Sequence, residues 1–155
     1  MDHKDHRSIG TLIAVDDEET QASLIAAFVD ADIPEPSQAR DAASLRAMLD
    51  SATLDLIVMS DKLAGAYVAP LISDVRRGKL GQHPFPIVVV LTHETDPAEV
   101  RQISNCGPDD IVALPCEPED MLARINVFLA GNRRPLVVNA GYAGPERRNP
   151  GRVEP

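Results

Sequence analysis

Four short apolar runs divide the chain into segments that are each long enough for one helix. The clearest run, Ile87–Leu91, has four β-branched residues in sequence. Runs that are apolar at every position are typical of parallel strands buried on both faces of a sheet. A shorter fifth strand is predicted after Pro34 and Pro36, and these prolines place it at the edge of the sheet. The predicted strands are Thr11–Val15, Ser37–Arg40, Leu54–Met59, Ile87–Leu91 and Asp110–Ala113.

The segments between the strands carry apolar residues at helical spacing. Asp41 is a predicted N-cap of the second helix, and Asp96 is the predicted N-cap of a helix that starts at Pro97. The other predicted helices cover about residues 18–30, 68–77 and 117–130. Five strands alternating with five helices predict an α/β fold, a doubly wound (βα)5 sandwich around a parallel sheet. In such sheets the chemistry lies at the carboxyl ends of the strands.

Length and composition favour one domain with flanking segments. The chain has 155 residues, of which 44% are hydrophobic, which is enough for one full core. We predict a polar leader at 1–10, a domain at 11–130 and an arginine-containing tail at 131–155. Since the tail is short and irregular in composition, we expect no attached output domain and a stand-alone protein.

Charge and hydropathy exclude several classes of function. The 24 acidic residues outnumber the 15 lysines and arginines, so binding to DNA is not expected. No apolar run approaches the roughly 18 residues that span a membrane, and the first residues lack the apolar segment of a secretory signal. We therefore expect a cytoplasmic protein with no membrane span, in which Cys106 and Cys116 are reduced thiols.

Four segments in this order resemble the receiver (CheY-like) domain of bacterial two-component response regulators, over about residues 11–130. They are Leu12 to Glu18, Asp55 to Met59, Val90 to Thr92, and Gly107 to Asp110 followed by Leu114 and Pro115. The resemblance implies a flavodoxin-like fold with strand order 2-1-3-4-5. It also implies transfer of a phosphoryl group from a partner's histidine to an aspartate, with help from Mg²⁺.

The resemblance assigns roles to positions, and two of these positions carry the wrong residue. Asp16 and Asp17 match the acidic pair that holds Mg²⁺, and Thr92 matches the switch hydroxyl. Ser60 stands where the phosphoacceptor aspartate is expected, and Leu114 stands where a lysine is expected. Serine is a poor acceptor without a neighbouring base, and leucine offers no charge to the transferred group. We therefore predict a degenerate site, that is, a pseudo-receiver.

Asp61 leaves an alternative open, because it is one residue late for the acceptor position. A shift by one residue reverses the direction of a strand side chain, so we expect Asp61 to point away from the site unless a bulge re-aims it. If it does face the site, Asp61 is an alternative acceptor that works with Mg²⁺. Asp16 and Asp17 are either a weak or vestigial Mg²⁺ site or acids that cap the first helix. No other cofactor is expected.

The tail carries five arginines against two glutamates and is predicted to be an exposed arm from Gly141 onward. It is either a basic tail that lies on the acidic domain or an anion-binding segment, because paired arginines suit phosphates. Arg148 and Arg152 resemble part of a cyclic-di-GMP motif, which makes a cyclic-dinucleotide effector a second alternative.

Together these patterns predict a non-enzymatic signalling protein that acts by protein contacts without the usual aspartyl phosphorylation. The predicted partner is a histidine kinase or an effector. The resemblance also implies a homodimer through the surface of the fourth helix, fifth strand and fifth helix.

Overall fold

The structure is a computed structural model, and it describes residues 9–147. Its centre is a five-stranded parallel sheet in the order β2-β1-β3-β6-β7. One small hairpin interrupts the strand count between β3 and β6; without it this order is 2-1-3-4-5, so the predicted flavodoxin-like fold is confirmed. The strands of the sheet are β1 (Thr11–Ala14), β2 (Ser37–Gln38), β3 (Leu56–Ser60), β6 (Ile87–Thr92) and β7 (Asp110–Ala113).

Five helices cover the two faces of the sheet. Asp17, Asp41 and Asp96 accept hydrogen bonds from the first turns of α1, α2 and α4, and Asp41 and Ser44 form a reciprocal capping box. The predicted caps at Asp41 and Asp96 are therefore confirmed. The helices are α1 (Glu18–Asp30), α2 (Ala42–Ser51), α3 (Pro70–Arg76), α4 (Pro97–Ser104) and α5 (Pro118–Leu129).

Two apolar cores follow from the alternation of side chains along the strands. On β3, Leu56 and Val58 belong to the core that contains Phe28 of α1 and Ile125 of α5. Ile57 and Met59 belong to the other core, together with residues of α2, α3 and α4. The continuous apolar runs in the sequence are thus explained by burial on both faces.

Two antiparallel hairpins lie outside this sheet. The first, β4 (Lys62–Leu63) with β5 (Ala66–Tyr67), follows β3 directly. The second, β8 (Leu136–Val138) with β9 (Ala143–Pro145), lies beyond α5. The prediction of an exposed arm from Gly141 is wrong, because Tyr142 and Ala143 are buried. Residues 1–8 of the predicted leader and residues 148–155 of the tail lie outside the described residues.

An Arg–Asp–Arg cluster attaches the second hairpin to the amino-terminal edge of the sheet. The carboxylate of Asp109 accepts from Arg76 Nη2 at 2.9 Å, from Arg133 Nε at 2.6 Å and from the Val88 amide at 2.8 Å. Only 1% of the side-chain surface of Arg76 and of Asp109 is exposed, against 19% for Arg133. Burial lowers the pKa of Arg76, while the nearby Asp109 opposes this shift.

The backbone of the second hairpin also packs directly against the backbone at Gly107, in the loop before β7. Gly107 has a φ of 99°, and a Cβ at this position would lie 2.2 Å from the carbonyl oxygen of Ala143. Only glycine combines this left-handed backbone with such a close approach. Residues 131–147 are therefore packed on the domain over the described part of the tail.

Candidate functional site

A cavity of about 630 Å³ opens at the carboxyl edge of the sheet, where β1, β3 and β6 end. Consecutive residues of each strand end line it, which brings Asp16, Ser60, Asp61 and Thr92 together. Leu114, which follows β7 and precedes Pro115 across a cis peptide bond, completes one wall. All the residues that the sequence placed at the site, including Asp17, line this cavity.

Asp61 faces the cavity, and the expectation that it points away is wrong. Thr92 Oγ1 donates to Asp61 Oδ2 at 3.2 Å. By alternation, Asp61 continues the row of Ile57 and Met59, and Thr92 continues the row of Val88 and Val90 on the same face. The cavity lies beyond the strand ends and not on one face, so side chains of both rows reach it. This geometry explains the error, because alternation separates Ser60 from Asp61 only within the sheet.

Ser60 lies on the side of the cavity that is nearer to β1. Its Oγ accepts from the Asp16 amide at 3.4 Å. Histidine and carboxylate side chains are the usual bases for a serine nucleophile, and the contact recorded for Ser60 is instead with a backbone amide. The arrangement suits a serine that joins two strand ends.

The acidic pair is engaged by local backbone. Asp17 Oδ2 accepts from the Thr20 amide at 2.9 Å and from Thr20 Oγ1 at 2.6 Å, which is an N-cap of α1. These hydrogen bonds from Thr20 hold the pKa of Asp17 below its usual range. Asp16 Oδ1 accepts from the Ala64 amide at 3.2 Å, at the tip of the first hairpin. Each carboxylate thus has a structural contact in the fold.

Asp17 allows the two interpretations of the acidic pair to be separated by mutation. We expect Asp17→Ala to lower the melting temperature by a few degrees in the presence of a chelator, and Asp17→Ser to leave it nearly unchanged, since serine also caps helices. Because the pKa of Asp17 is lowered on folding, its stabilising effect is present above the unfolded-state pKa of about 3.9 and is lost as the pH falls through the folded-state value. Thermal unfolding from pH 7 to pH 2.5 measures both effects. Equal melting temperatures for wild type and Asp17→Ala at pH 7 would contradict the cap.

The described carboxylates of the cavity are not arranged as a three-carboxylate magnesium site. Magnesium prefers about six oxygen ligands in octahedral geometry. Within residues 9–147 no group of three or more His, Cys, Asp or Glu side chains is arranged to hold a metal ion. Weak binding by Asp16 and Asp17 alone stays a prediction.

Lys62 is a cation of the cavity that the sequence analysis did not identify. It follows Asp61 directly and lines the same cavity, where its Nζ lies 4.7 Å from the centre of the Tyr67 ring. Its contact with Tyr67, together with the nearby Asp61 and Glu94, raises the pKa of Lys62, so it carries its charge at neutral pH. Its position in the sequence, two residues after the end of β3, is the feature from which it could have been predicted.

The charge of the cavity is dominated by carboxylates. Asp16, Asp17, Asp61 and Glu94 line it together with a single lysine, and Leu114 adds no charge. An incoming anion would therefore meet four carboxylates and one ammonium group, which repel it on balance.

The described arginines of the tail have partners within the chain. Arg133 binds Asp109, Arg134 donates to the carbonyl oxygens of Glu146 and Arg147, and Arg147 donates to Asn105 Oδ1. Arg148 and Arg152, on which the cyclic-dinucleotide prediction rests, lie outside the described residues. This alternative stays a prediction.

Solved structures share this architecture. The receiver domain of the Francisella response regulator 1452 has a TM-score of 0.70 and 17% identity over 81% of this chain and 100% of its own. The receiver domain of a signal transduction histidine kinase from Syntrophus aciditrophicus has a TM-score of 0.70 and 19% identity over 87% of this chain and 100% of its own. The fold is that of a response-regulator receiver domain.

Two similar proteins are considerably longer than this chain. DrrB, an OmpR/PhoB homolog from Thermotoga maritima, matches with a TM-score of 0.67 and 19% identity over 84% of this chain and 57% of its own. Among curated proteins, Protein PetR of Rhodobacter capsulatus is 32% identical over 130 residues, which is 84% of this chain and 52% of PetR. The chain thus spans about half the length of this relative. No protein-family model matches the sequence. In the described residues no helix has the length and apolar character needed to cross a membrane.

Proposed function

We propose that this chain is an atypical receiver domain that acts in bacterial signal transduction through protein contacts, without the usual aspartyl phosphorylation. The observation that carries the proposal is the composition of the cavity, with Ser60 and Leu114 at the acceptor and lysine positions. Four carboxylates that lie around a single lysine disfavour a phosphoryl dianion. A histidine kinase or an effector is the proposed partner, and a homodimer through the α4–β7–α5 surface is part of the same proposal.

A phosphodonor assay tests this proposal. We expect no gain in mass when the purified chain is incubated with acetyl phosphate and Mg²⁺, and no Mg²⁺-dependent rise in melting temperature with beryllofluoride. Intact-mass spectrometry and thermal unfolding are the measurements, and a working response-regulator receiver treated in parallel is the control. A mass increase equal to one phosphoryl group, localised to an aspartate by peptide mapping, would refute the proposal.

A second candidate function is phosphoryl acceptance on Asp61. It is favoured by one observation, the 3.2 Å hydrogen bond from Thr92 to the Asp61 carboxylate inside the cavity. A switch hydroxyl at this distance is able to contact a group transferred to Asp61. In this case Asp61→Asn abolishes the mass increase and Ser60→Ala does not. A mass increase in the unmutated chain therefore separates the two candidate functions, and the pair of variants separates the two candidate acceptors.

A further inference from the structure

A second open groove of about 440 Å³ lies between the first hairpin and α4. Its floor is apolar, because Ala69 and Ile103 are buried there. Tyr67, which is 60% exposed, also lines the groove, and the ammonium group of Lys62 lies over its ring. The groove therefore offers apolar and aromatic surface next to solvent.

The rim of the groove is acidic. Asp61, Glu94 and Glu99 line it, and they outnumber the nearby cation of Lys62, which lies over the Tyr67 ring and close to Asp61 and Glu94. Glu99 is half-buried in the first turn of α4 and has no ion-pair partner within residues 9–147. An apolar floor beside three carboxylates is complementary to a side-chain pair that is apolar and cationic.

The groove is continuous with the site. Asp61 and Glu94 line both the groove and the 630 Å³ cavity. A cation that enters the groove therefore changes the electrostatic potential at Asp61 and Thr92. This continuity connects a docking surface to the residues that stand at the receiver positions.

We propose that this groove docks a segment of a partner protein that places an apolar side chain on Ala69 and Ile103 and a lysine or arginine among Asp61, Glu94 and Glu99. The inference rests on the proposed function, because it names the partner chemistry and the surface for signalling through protein contacts. It assigns this role to the groove between the first hairpin and α4, separate from the α4–β7–α5 surface.

The test uses the full chain and two matched peptides, with no phosphodonor. The first is an acetylated and amidated hexapeptide of alternating leucine and arginine, and the second has glutamate in place of arginine. Titration followed by ¹H–¹⁵N NMR is expected to shift the amides of residues 67–69 and 99–106 with the basic peptide only. Equal shifts with the acidic peptide, or shifts confined to α1 and α5, would overturn the proposal.

Two charge-matched variants sharpen the test. Glu99 and Glu119 carry the same charge and both lie in the first turn of a helix, α4 and α5; Glu99 is half-buried and Glu119 is exposed. Glu99→Lys is expected to weaken binding of the basic peptide about tenfold, roughly what one ion-pair contact is worth, and Glu119→Lys to leave it unchanged. An equal loss in both variants would mean that net charge drives binding, and would overturn the docking site.

The other candidate occupant of the groove is the chain's own C-terminal end. A chain that ends at Arg147 tests it, because this chain lacks Arg148 and Arg152. The basic peptide is expected to bind this chain and the full chain alike. Binding that appears only after truncation would assign the groove to the chain's own end and overturn the proposal of a partner. Since the phosphodonor assay is separate, a failed peptide titration and a failed proposed function give distinguishable results.

Discussion

Replacing Asp109 with asparagine is expected to lower the free energy of unfolding by about 3–5 kcal/mol, the cost of breaking a buried ion pair by removing one partner. Asp109 and Arg76 are each 1% exposed, and Arg133 donates to the same carboxylate. The neutral amide would leave two guanidinium groups without this counter-ion, and that of Arg76 lies where water cannot solvate it. Urea unfolding at pH 7 measures the difference.

The neighbouring ion pair provides a matched control. Asp110 accepts from Arg124 at 2.8 Å, but 52% of the Arg124 side chain is exposed. Asp110→Asn is therefore expected to cost less than about 1 kcal/mol. Similar losses at positions 109 and 110 would show that burial of the cluster does not govern its contribution.

Ending the chain after Ala130 is expected to destabilise the domain by roughly 4 kcal/mol or to prevent its folding. The truncation removes the buried side chain of Tyr142, a large ring whose burial contributes up to about 3 kcal/mol, and the buried methyl group of Ala143, which contributes about 0.8 kcal/mol. It also removes Arg133, whose hydrogen bonds to a carboxylate contribute about 1.5–3 kcal/mol. Side-chain and backbone entropy regained by the shortened chain offsets part of this loss. Soluble yield and urea unfolding are the measurements.

A chain that ends after Arg147 keeps the hairpin and is the control for this truncation. It is expected to unfold at the same urea concentration as the full chain. If the chain that ends at Ala130 is equally stable, the domain boundary predicted from the sequence is correct and the hairpin is only an attached segment.

The fold could be predicted because its signals are local. Apolar runs such as Ile87–Leu91 become buried strands in the structure, and aspartates such as Asp41 and Asp96 cap the helices that they precede. Each of these features needs only its own few neighbours, together with a sheet that is covered on both faces.

The site was predicted only in part, because alternation describes a strand and not the space beyond its end. The positions 16, 17, 60, 92 and 114 were placed correctly at the cavity. Asp61 was placed on the wrong side, and Lys62 was missed. Both belong to the turn from β3 into the first hairpin, where the backbone direction depends on contacts such as that between Asp16 and the Ala64 amide.

By itself, the sequence determined the order of the elements and the parallel sheet, because these follow from residue type and spacing. The tertiary structure alone decided that Asp61 meets Thr92 and that Tyr142 and Ala143 are buried. Arginines in a polar segment are expected in solvent. Arg133 instead binds Asp109, because the fold brings together a carboxylate that lies 24 residues away in the sequence and a glycine that lets the hairpin approach.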